Sequence, residues 1–272
     1  MNDSVLALGW AGLLGLMIGS FLNVVIYRLP LMMQAQWDAA NSEATLQKLS
    51  FNLAVPRSHC PDCQHPLGWR ENIPLLSFLL QRGQCAHCQT PIPWRYPAVE
   101  LITAILFMAV VARYGWGFEA LAWAGFAAAL VTLAAIDADT HLLPDAITQP
   151  LVWAGLLAAQ LGLSGLGLSD ALWGAVAGYL FLWSVYWLFK GLTGKDGMGQ
   201  GDFKLLAALG AWLGWPALLS LVLIASLTGV LGGLALKLRG QLSDNGELAF
   251  GPYLVIAGLW VMTFGPLPWF GI

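Results

Sequence analysis

Long apolar runs separated by short polar stretches dominate the chain, and they predict membrane-spanning helices. A helix needs roughly 20 mostly apolar residues to cross the hydrocarbon core of a bilayer. Eight segments meet or approach this pattern, near residues 5–27, 97–112, 118–136, 146–165, 170–189, 204–215, 217–236 and 252–269. The pattern therefore predicts an all-α polytopic membrane protein with about eight transmembrane helices.

The sixth segment, 204–215, is the shortest of the eight. Its roughly 12 residues give about 18 Å of helix at ~1.5 Å per residue, which is less than the ~30 Å of the hydrocarbon core. It is expected to be either a thin span or a re-entrant helix, with Pro216 marking its end.

Composition supports a membrane protein and excludes some partners. The chain is 58% hydrophobic and only 10% charged, whereas a soluble domain has about 25% charged residues. The net charge of −3 gives no sign of a basic groove. We therefore expect the lipid bilayer, and not a nucleic acid, as a partner.

The basic residues indicate the orientation of the chain. With eight crossings and the N-terminus outside, 11 of the 12 Lys and Arg residues fall on the cytoplasmic side, and Arg113 falls outside. Cytoplasmic loops carry such an excess of basic residues. The cytoplasmic set is Arg28, Lys48, Arg57, Arg70, Arg82, Arg95, Lys190, Lys195, Lys204, Lys237 and Arg239. Without the sixth crossing Lys237 and Arg239 would lie outside, so the rule favours eight crossings.

The first apolar segment is expected to be a retained span and not a cleaved signal peptide. The opening "MNDS" has no basic residue, and no clear small-residue cleavage site follows. Three regions are therefore expected: a first transmembrane helix over 1–27, a polar cytoplasmic loop over 28–96, and a transmembrane core over 97–272.

All four cysteines lie in that loop, as two pairs within an internal repeat. "CPDCQHPLGWR" from residue 60 and "CAHCQTPIPWR" from residue 85 share the pattern C-x-x-C-Q-x-P-(L or I)-x-W-R. Two such pairs supply four thiolates, which suits a tetrahedral structural Zn²⁺. Disulfides or free thiols are the alternative, but a cytoplasmic location disfavours disulfides. The expected metal ligands are Cys60, Cys63, Cys85 and Cys88, with His59, His65 and His87 as neighbours or substitutes.

Acidic residues follow the third apolar segment and precede the sixth. Asp137, Asp139 and Asp145 lie in "IDADTHLLPD", and Asp202 lies in "GMGQGDFKLLAALG". Ionisable residues at membrane depth are costly and indicate function. Two carboxylates held a few ångströms apart share one proton, and such a pair can hydrolyse a peptide bond. Gly197, Gly199 and Gly201 would let a substrate approach.

Each acid also has a structural interpretation. Asp145 precedes a new apolar run, which favours an N-cap. Asp202 can cap a helix that starts at Phe203, and Asp139 can belong to a turn. Asp137 directly follows an apolar run and is the best placed for a site at the membrane edge.

Taken together, these motifs resemble those of the type IV prepilin peptidases, which are G-x-G-D intramembrane aspartyl proteases. The resemblance runs through "GSFLNVVIYRLP" at 19–30, the cysteine pairs, "RYPAVE" at 95–100, "IDADTHLLPD" at 136–145 and "GMGQGDFKLLAALGAW" at 197–212. It implies that Asp137 and Asp202 are the catalytic pair. It also implies a bacterial inner-membrane enzyme whose active site faces the cytoplasm.

The resemblance further implies substrates and a second reaction. Prepilins and type II secretion pseudopilins would be cut after a glycine, and the new N-terminal residue would be methylated from S-adenosylmethionine. Asn23, Arg28 and Glu100 are the candidates for the methyl-donor site. The family also implies that the zinc loop is dispensable for proteolysis.

Two other classes of function remain open from the residues. One is an ion- or proton-coupled transporter with intramembrane acids, although the two halves of the chain show no inverted repeat. The other is a membrane-anchored zinc-ribbon adaptor, which leaves the acids unexplained.

Overall fold

The computed structural model describes residues 2–41, 51–195, 197–240 and 248–268, and these are mostly helical. Within them there is no β-strand, only two isolated antiparallel bridges in the cysteine loop. The chain forms two compact units, which we call the N-terminal unit (Met1–Ala120) and the C-terminal unit (Leu121–Ile272). An all-α architecture is thus confirmed.

The N-terminal unit consists of a helix pair and the cysteine loop. The helices are α1 (Asn2–Asn41), the short α2 (Leu76–Leu80) and α3 (Arg95–Tyr114), with a 3₁₀ turn at Trp69–Asn72. The backbones of α1 and α3 approach closely, because a Cβ on Gly19 would lie 2.7 Å from the Cα of Glu100. Small residues allow such close packing between membrane helices.

The first helix extends beyond the transmembrane segment predicted over residues 1–27. The helix continues through Pro30 to Asn41. The sequence beyond Pro30, "LMMQAQWDAAN", is rich in good helix formers. A proline is also tolerated in membrane helices when neighbouring groups compensate for the lost hydrogen bond.

The C-terminal unit is a helix bundle built around a short central helix. Its helices are α4 (Phe118–Thr140), α5 (Asp145–Gln160), α6 (Leu168–Thr193), α7 (Gln200–Leu213), α8 (Leu218–Leu238) and α9 (Gly251–Phe264), with a 3₁₀ turn at Trp215–Ala217. Helix α7 is buried from Asp202 to Trp212 at every position except Lys204. A helix that is apolar on all sides belongs in a core.

The central position of α7 depends on close backbone contacts. A Cβ on Gly174 of α6 would overlap the carbonyl oxygen of Gly210 on α7, and the reverse also holds. Trp212 of α7 donates a hydrogen bond of 2.9 Å from Nε1 to the carbonyl of Leu151 on α5. Glycines and one tryptophan therefore fix α7 between its neighbours.

Five helices are long and apolar enough to cross a membrane, within the part of the chain that is described. They are Ser4–Ala39, Arg95–Tyr114, Phe118–Thr140, Leu168–Thr193 and Trp215–Leu238. These helices indicate a multi-pass membrane protein. The other three predicted spans are helices too, but α5, α7 and α9 have only 14 to 16 residues. Lys48, assigned above to the cytoplasmic side, lies outside the described residues.

Candidate active site and metal centre

Asp137 lies in the last turns of α4, where the apolar run of that helix ends. Its side chain is 5% exposed. Its Oδ2 accepts a hydrogen bond of 3.0 Å from the backbone N–H of Gly251, the first residue of α9. The N-terminus of a helix carries a partial positive charge. The carboxylate of Asp137 is therefore oriented by a helix that the acidic motif itself does not contain.

Asp202 lies in the first turn of α7 and is 6% exposed. The helix begins at Gln200 with Gly199 as its N-cap, so a helix starting at Phe203 with Asp202 as its cap is wrong. The residues around Asp202 are packed tightly: a Cβ on Gly201 would lie 2.7 Å from the Cβ of Leu143. Gly201 thus lets the link between α4 and α5 pass against the first turn of α7.

The fold brings Asp137 and Asp202 together from positions far apart in the sequence. Their carboxyl groups are near enough to interact electrostatically. Both side chains are buried, so water screens this interaction only weakly. His141, which follows the end of α4, also interacts electrostatically with Asp137.

The other two acids of this region are not part of the pair. Asp139 is exposed on α4. Asp145 is exposed and forms an ion pair with Lys204, whose Nζ lies 2.6 Å from Oδ1. The prediction that Asp145 is an N-cap is wrong, because Pro144 is the N-cap of α5. The ion pair links Asp145, at the start of α5, to Lys204 near the start of α7. Lys204 lies two residues after Asp202.

The two cysteine pairs adopt the same backbone geometry, as their repeat predicts. The N–H of Gln64 donates to the carbonyl of Cys60, and the N–H of Gln89 donates to that of Cys85, each at 2.9 Å. Both glutamines have positive φ, 59° and 60°. Each cysteine pair also lies between the two residues of an isolated β-bridge, His59 with Pro66 and Gln84 with Pro91, and these bridges occupy equivalent positions in the repeat. Two equivalent knuckles therefore face each other.

The four sulfur atoms are placed to hold one metal ion. All four lie within 4.8 Å of one another, and none is in a disulfide. The Sγ atoms of Cys60 and Cys88 are 3.8 Å apart. In a regular tetrahedron with Zn–S bonds of ~2.3 Å, two sulfurs are also about 3.8 Å apart. His65 and His87 instead stack on each other, with ring centroids 4.4 Å apart.

The surroundings of Cys63 and Cys88 shift the pKa values of these two thiols in opposite directions. The Thr90 hydroxyl, 3.3 Å from Sγ of Cys88, lowers the pKa of that thiol to about 6. The backbone N–H of His65 acts to lower the pKa of Cys63, but burial and the three neighbouring thiols outweigh it and raise the pKa to about 12. Metal binding requires thiolates, so the metal must displace protons from this cluster.

The three candidates for the methyl-donor site lie at one cavity in the N-terminal unit. Asn23, Arg28 and Glu100 are buried and line a cavity of about 230 Å³ between α1, α3 and the cysteine loop. Glu100 accepts a hydrogen bond of 2.8 Å at Oε2 from the backbone N–H of Leu75. Three residues separated by up to 77 positions thus share one cavity wall.

Arg28 differs from Asn23 and Glu100, because its guanidinium already donates hydrogen bonds to several atoms of the protein. It donates hydrogen bonds to the backbone carbonyls of Asn52, Leu53 and Pro56 at 2.8, 3.4 and 2.7 Å. Its Cζ lies 5.4 Å from the ring centroid of Phe51. Arg28 therefore ties the loop to α1.

Sequence reasoning missed two residues of the acidic site. Gly251 donates to Asp137, and the signal for it was present as a glycine followed by a proline at the start of an apolar run. Leu143 packs against Gly201. No sequence pattern singles out that leucine among the many in this chain.

Comparison with known proteins gives strong matches along the chain. The model of the Bacterial Peptidase A24 N-terminal domain matches residues 13–114, and that of the Type IV leader peptidase family matches residues 124–234. No solved structure gives a significant match.

Several curated relatives cover nearly the whole chain. The "Prepilin leader peptidase/N-methyltransferase" of Aeromonas hydrophila is 51% identical over 259 residues, covering 93% of this chain and 89% of the relative. Proteins of the same name from Stutzerimonas stutzeri and Pseudomonas aeruginosa are each 49% identical, with the same coverage.

Proposed function

The chain belongs to the type IV leader peptidase family, and on that premise we propose that Asp137 and Asp202 are its catalytic pair. The resemblance drawn from the motifs is confirmed. The protein is a prepilin leader peptidase with N-methyltransferase activity. The observation that carries the catalytic assignment is that two buried carboxylates from α4 and α7 interact electrostatically.

Proteolysis by this pair needs one ionised and one protonated carboxyl group. The ionised group takes a proton from a water molecule, which attacks the carbonyl carbon of the scissile bond. The protonated group donates to the carbonyl oxygen, and the leaving amine is then protonated. Two buried carboxylates that repel each other favour this half-protonated state over double ionisation.

The surroundings of the pair assist this reaction. The hydrogen bond from Gly251 holds one carboxyl of the pair in a fixed orientation. The packing of Leu143 against Gly201, together with the ion pair of Asp145 and Lys204, holds the segment between α4 and α5 beside Asp202. A fixed geometry of this kind lowers the cost of reaching the transition state.

The substrates proposed are prepilins and the pseudopilins of type II secretion, cut after a glycine. We place the active site at the cytoplasmic boundary of the bacterial inner membrane, with eight crossings in all. The position of Asp137 at the end of an apolar helix supports a boundary location. The basic residues support the orientation, because 11 of 12 fall on one side when eight segments cross.

The metal proposed for the cysteine cluster is structural Zn²⁺. Four sulfur ligands leave no open position for water, so the ion would hold the two knuckles together without taking part in hydrolysis. This assignment rests on the spacing of the sulfur atoms and on their thiolate chemistry.

The experiment that tests the catalytic pair is cleavage of a model prepilin by the purified protein in detergent. Asp137→Asn and Asp202→Asn should each lower kcat/KM by about a thousandfold or more, since each removes a proton-transfer group. Asp139→Asn is the matched control, an exposed aspartate two residues from Asp137 on the same helix. Normal cleavage by Asp202→Asn, or a comparable loss in Asp139→Asn, would overturn the assignment.

A further inference from the structure

Helix α4 ends in a backbone conformation that its residue type disfavours. His141, the first residue after α4, has a φ of 54°. Residues with a side chain seldom adopt this left-handed region, and helices that end in it mostly use glycine. Helices α3 and α5 to α9 follow this preference, with a positive-φ glycine at the first or second residue after the helix: Gly115, Gly162, Gly194, Gly214, Gly240 and Gly265. The histidine after α4 is therefore not explained by the helix end alone.

His141 lies one helical turn beyond Asp137. Its backbone N–H donates a hydrogen bond of 2.9 Å to the carbonyl of Asp137. Its side chain is exposed and interacts electrostatically with the buried carboxyl group of Asp137. Among the described residues its imidazole takes part in no hydrogen bond. Unfavourable backbone conformations tend to cluster at active sites, where a side chain must be held in place.

The negative charges around Asp137 oppose its ionisation. The carboxyl group of Asp202 on α7 repels it across the buried pair. The C-terminus of α4, where Asp137 lies, carries a partial negative charge. Asp139 lies on the same helix, but it is exposed, so water screens it more strongly.

Few positive groups oppose this effect. Helix α9 contributes the backbone N–H of Gly251, and it has no charged side chain. Lys204 of α7 is the other cation of this region, but its Nζ lies 2.6 Å from the carboxylate of Asp145 on α5. Within the described segments around the pair, His141 is therefore the cation that no carboxylate already holds at ion-pair distance.

We propose that His141 is a positioning residue for the catalytic pair, and that its imidazolium favours the ionised form of Asp137. The proposal rests on the proposed function, because it takes Asp137 as one of the two reacting carboxyl groups. A positive charge near a carboxyl group favours the charged form, and histidine gains its positive charge as the pH falls from about 8 to 5. The imidazolium would thus keep one carboxyl of the pair ionised at a lower pH than the pair alone allows.

The test measures kcat/KM for cleavage of a model prepilin by the full-length protein in detergent, from about pH 5 to pH 9. In His141→Gln the fall of activity on the acid side should move to higher pH by about 0.5 unit, the size expected of one exposed charge. In His141→Lys it should stay at the wild-type pH or move lower. Both substitutions keep a side chain on the same unfavourable backbone, so the comparison isolates the charge.

His141→Gly separates the charge from the helix end. Glycine adopts this backbone conformation without strain, so Tm should not fall, while the acid side of the profile should move as it does in His141→Gln. Arg82→Gln is the matched control. Arg82 is also an exposed cation with a φ of 54°, but it belongs to the N-terminal unit. This variant should keep the wild-type profile.

Two results would overturn the proposal. One is a wild-type profile in folded His141→Gln, and the other is an equal shift in His141→Gln and His141→Lys. A lower Tm in His141→Gly with an unmoved acid side would show that His141 only ends the helix.

The outcomes also separate this proposal from the assignment of the pair. If Asp137→Asn and Asp202→Asn both abolish cleavage while the acid side is unmoved in His141→Gln, only the role of His141 is overturned. If both aspartate variants cleave normally, the pair is overturned, and the role of His141 is overturned with it.

Discussion

Gly251 and Asp137 are joined by a hydrogen bond that leaves no room for a side chain. The N–H of Gly251 lies 3.0 Å from Oδ2 of Asp137, and a Cβ on Gly251 would lie 2.6 Å from the same oxygen. A contact below 3.0 Å forces an atom to move. The glycine is therefore required by the position of the carboxylate and not by its own backbone conformation, which is helical.

Gly251→Ala should lower kcat/KM for prepilin cleavage at least tenfold, because the added methyl group displaces the Asp137 carboxyl from its hydrogen bond. The control is Gly191→Ala, whose Cβ would meet nothing within 4 Å and whose activity should match wild type. Cleavage assays of both variants give the comparison. Equal activity in the two would show that this hydrogen bond does not position Asp137.

Breaking the ion pair of Asp145 and Lys204 should have a small effect. Its side chains are 53% and 31% exposed, and exposed ion pairs contribute about 0.2 to 1 kcal/mol. Asp145→Asn, Lys204→Gln and the double variant should form a cycle with a coupling free energy in that range, measured by thermal unfolding. Cleavage should fall only a few-fold. A loss as large as that of Asp202→Asn would instead place Asp145 in the catalytic reaction.

Zinc removal should affect the structure of the N-terminal unit more than it affects the rate of proteolysis. Wild type should contain one zinc ion per chain by elemental analysis, and Cys85→Ser should contain none. Cleavage of prepilin should persist in Cys85→Ser, because the four cysteines belong to the N-terminal unit, whereas Asp137 and Asp202 belong to the C-terminal unit.

His87→Ala is the control for the metal prediction. His87 stacks on His65 and lies outside the set of four sulfur atoms. This variant should therefore retain its zinc. Loss of zinc in His87→Ala, with retention in Cys85→Ser, would show that the ligand set includes the histidine.

Arg28→Lys should loosen the segment that follows residue 50. Lysine keeps the charge but lacks the fork of donors that reaches the carbonyls of Asn52, Leu53 and Pro56. Hydrogen exchange measured by mass spectrometry should rise at residues 51–56 and stay unchanged in α9. If exchange is unchanged at 51–56 but S-adenosylmethionine binds at least tenfold more weakly, Arg28 contacts the ligand directly.

The charged residues among the site candidates share one property, which is that they are buried. Of the charged side chains in the described residues, the buried ones are Arg28, Glu100, Asp137 and Asp202. All four were singled out from motifs at the edges of apolar runs. A charge is costly to bury, so in a chain with 10% charged residues such positions stand out.

The sequence by itself determined the helical architecture, the cysteine repeat and the acids of the site. Apolar runs, paired cysteines and isolated carboxylates are local signals, and each is readable without knowing what lies across the fold. The end of the first helix could not be read in the same way, because Pro30 is a signal for a helix end whereas the residues beyond it are good helix formers.

Only the tertiary structure decided which residues meet. The contact of Asp137 with Gly251 spans 114 positions, and nothing local to either residue encodes it. The burial of a short α7 among α5, α6, α8 and α9 depends on side chains from several helices at once. The hydrogen bonds from Arg28 to the loop carbonyls also depend on contacts across the fold. Such contacts are set by the joint packing of distant segments, so a pattern read along the chain cannot specify them.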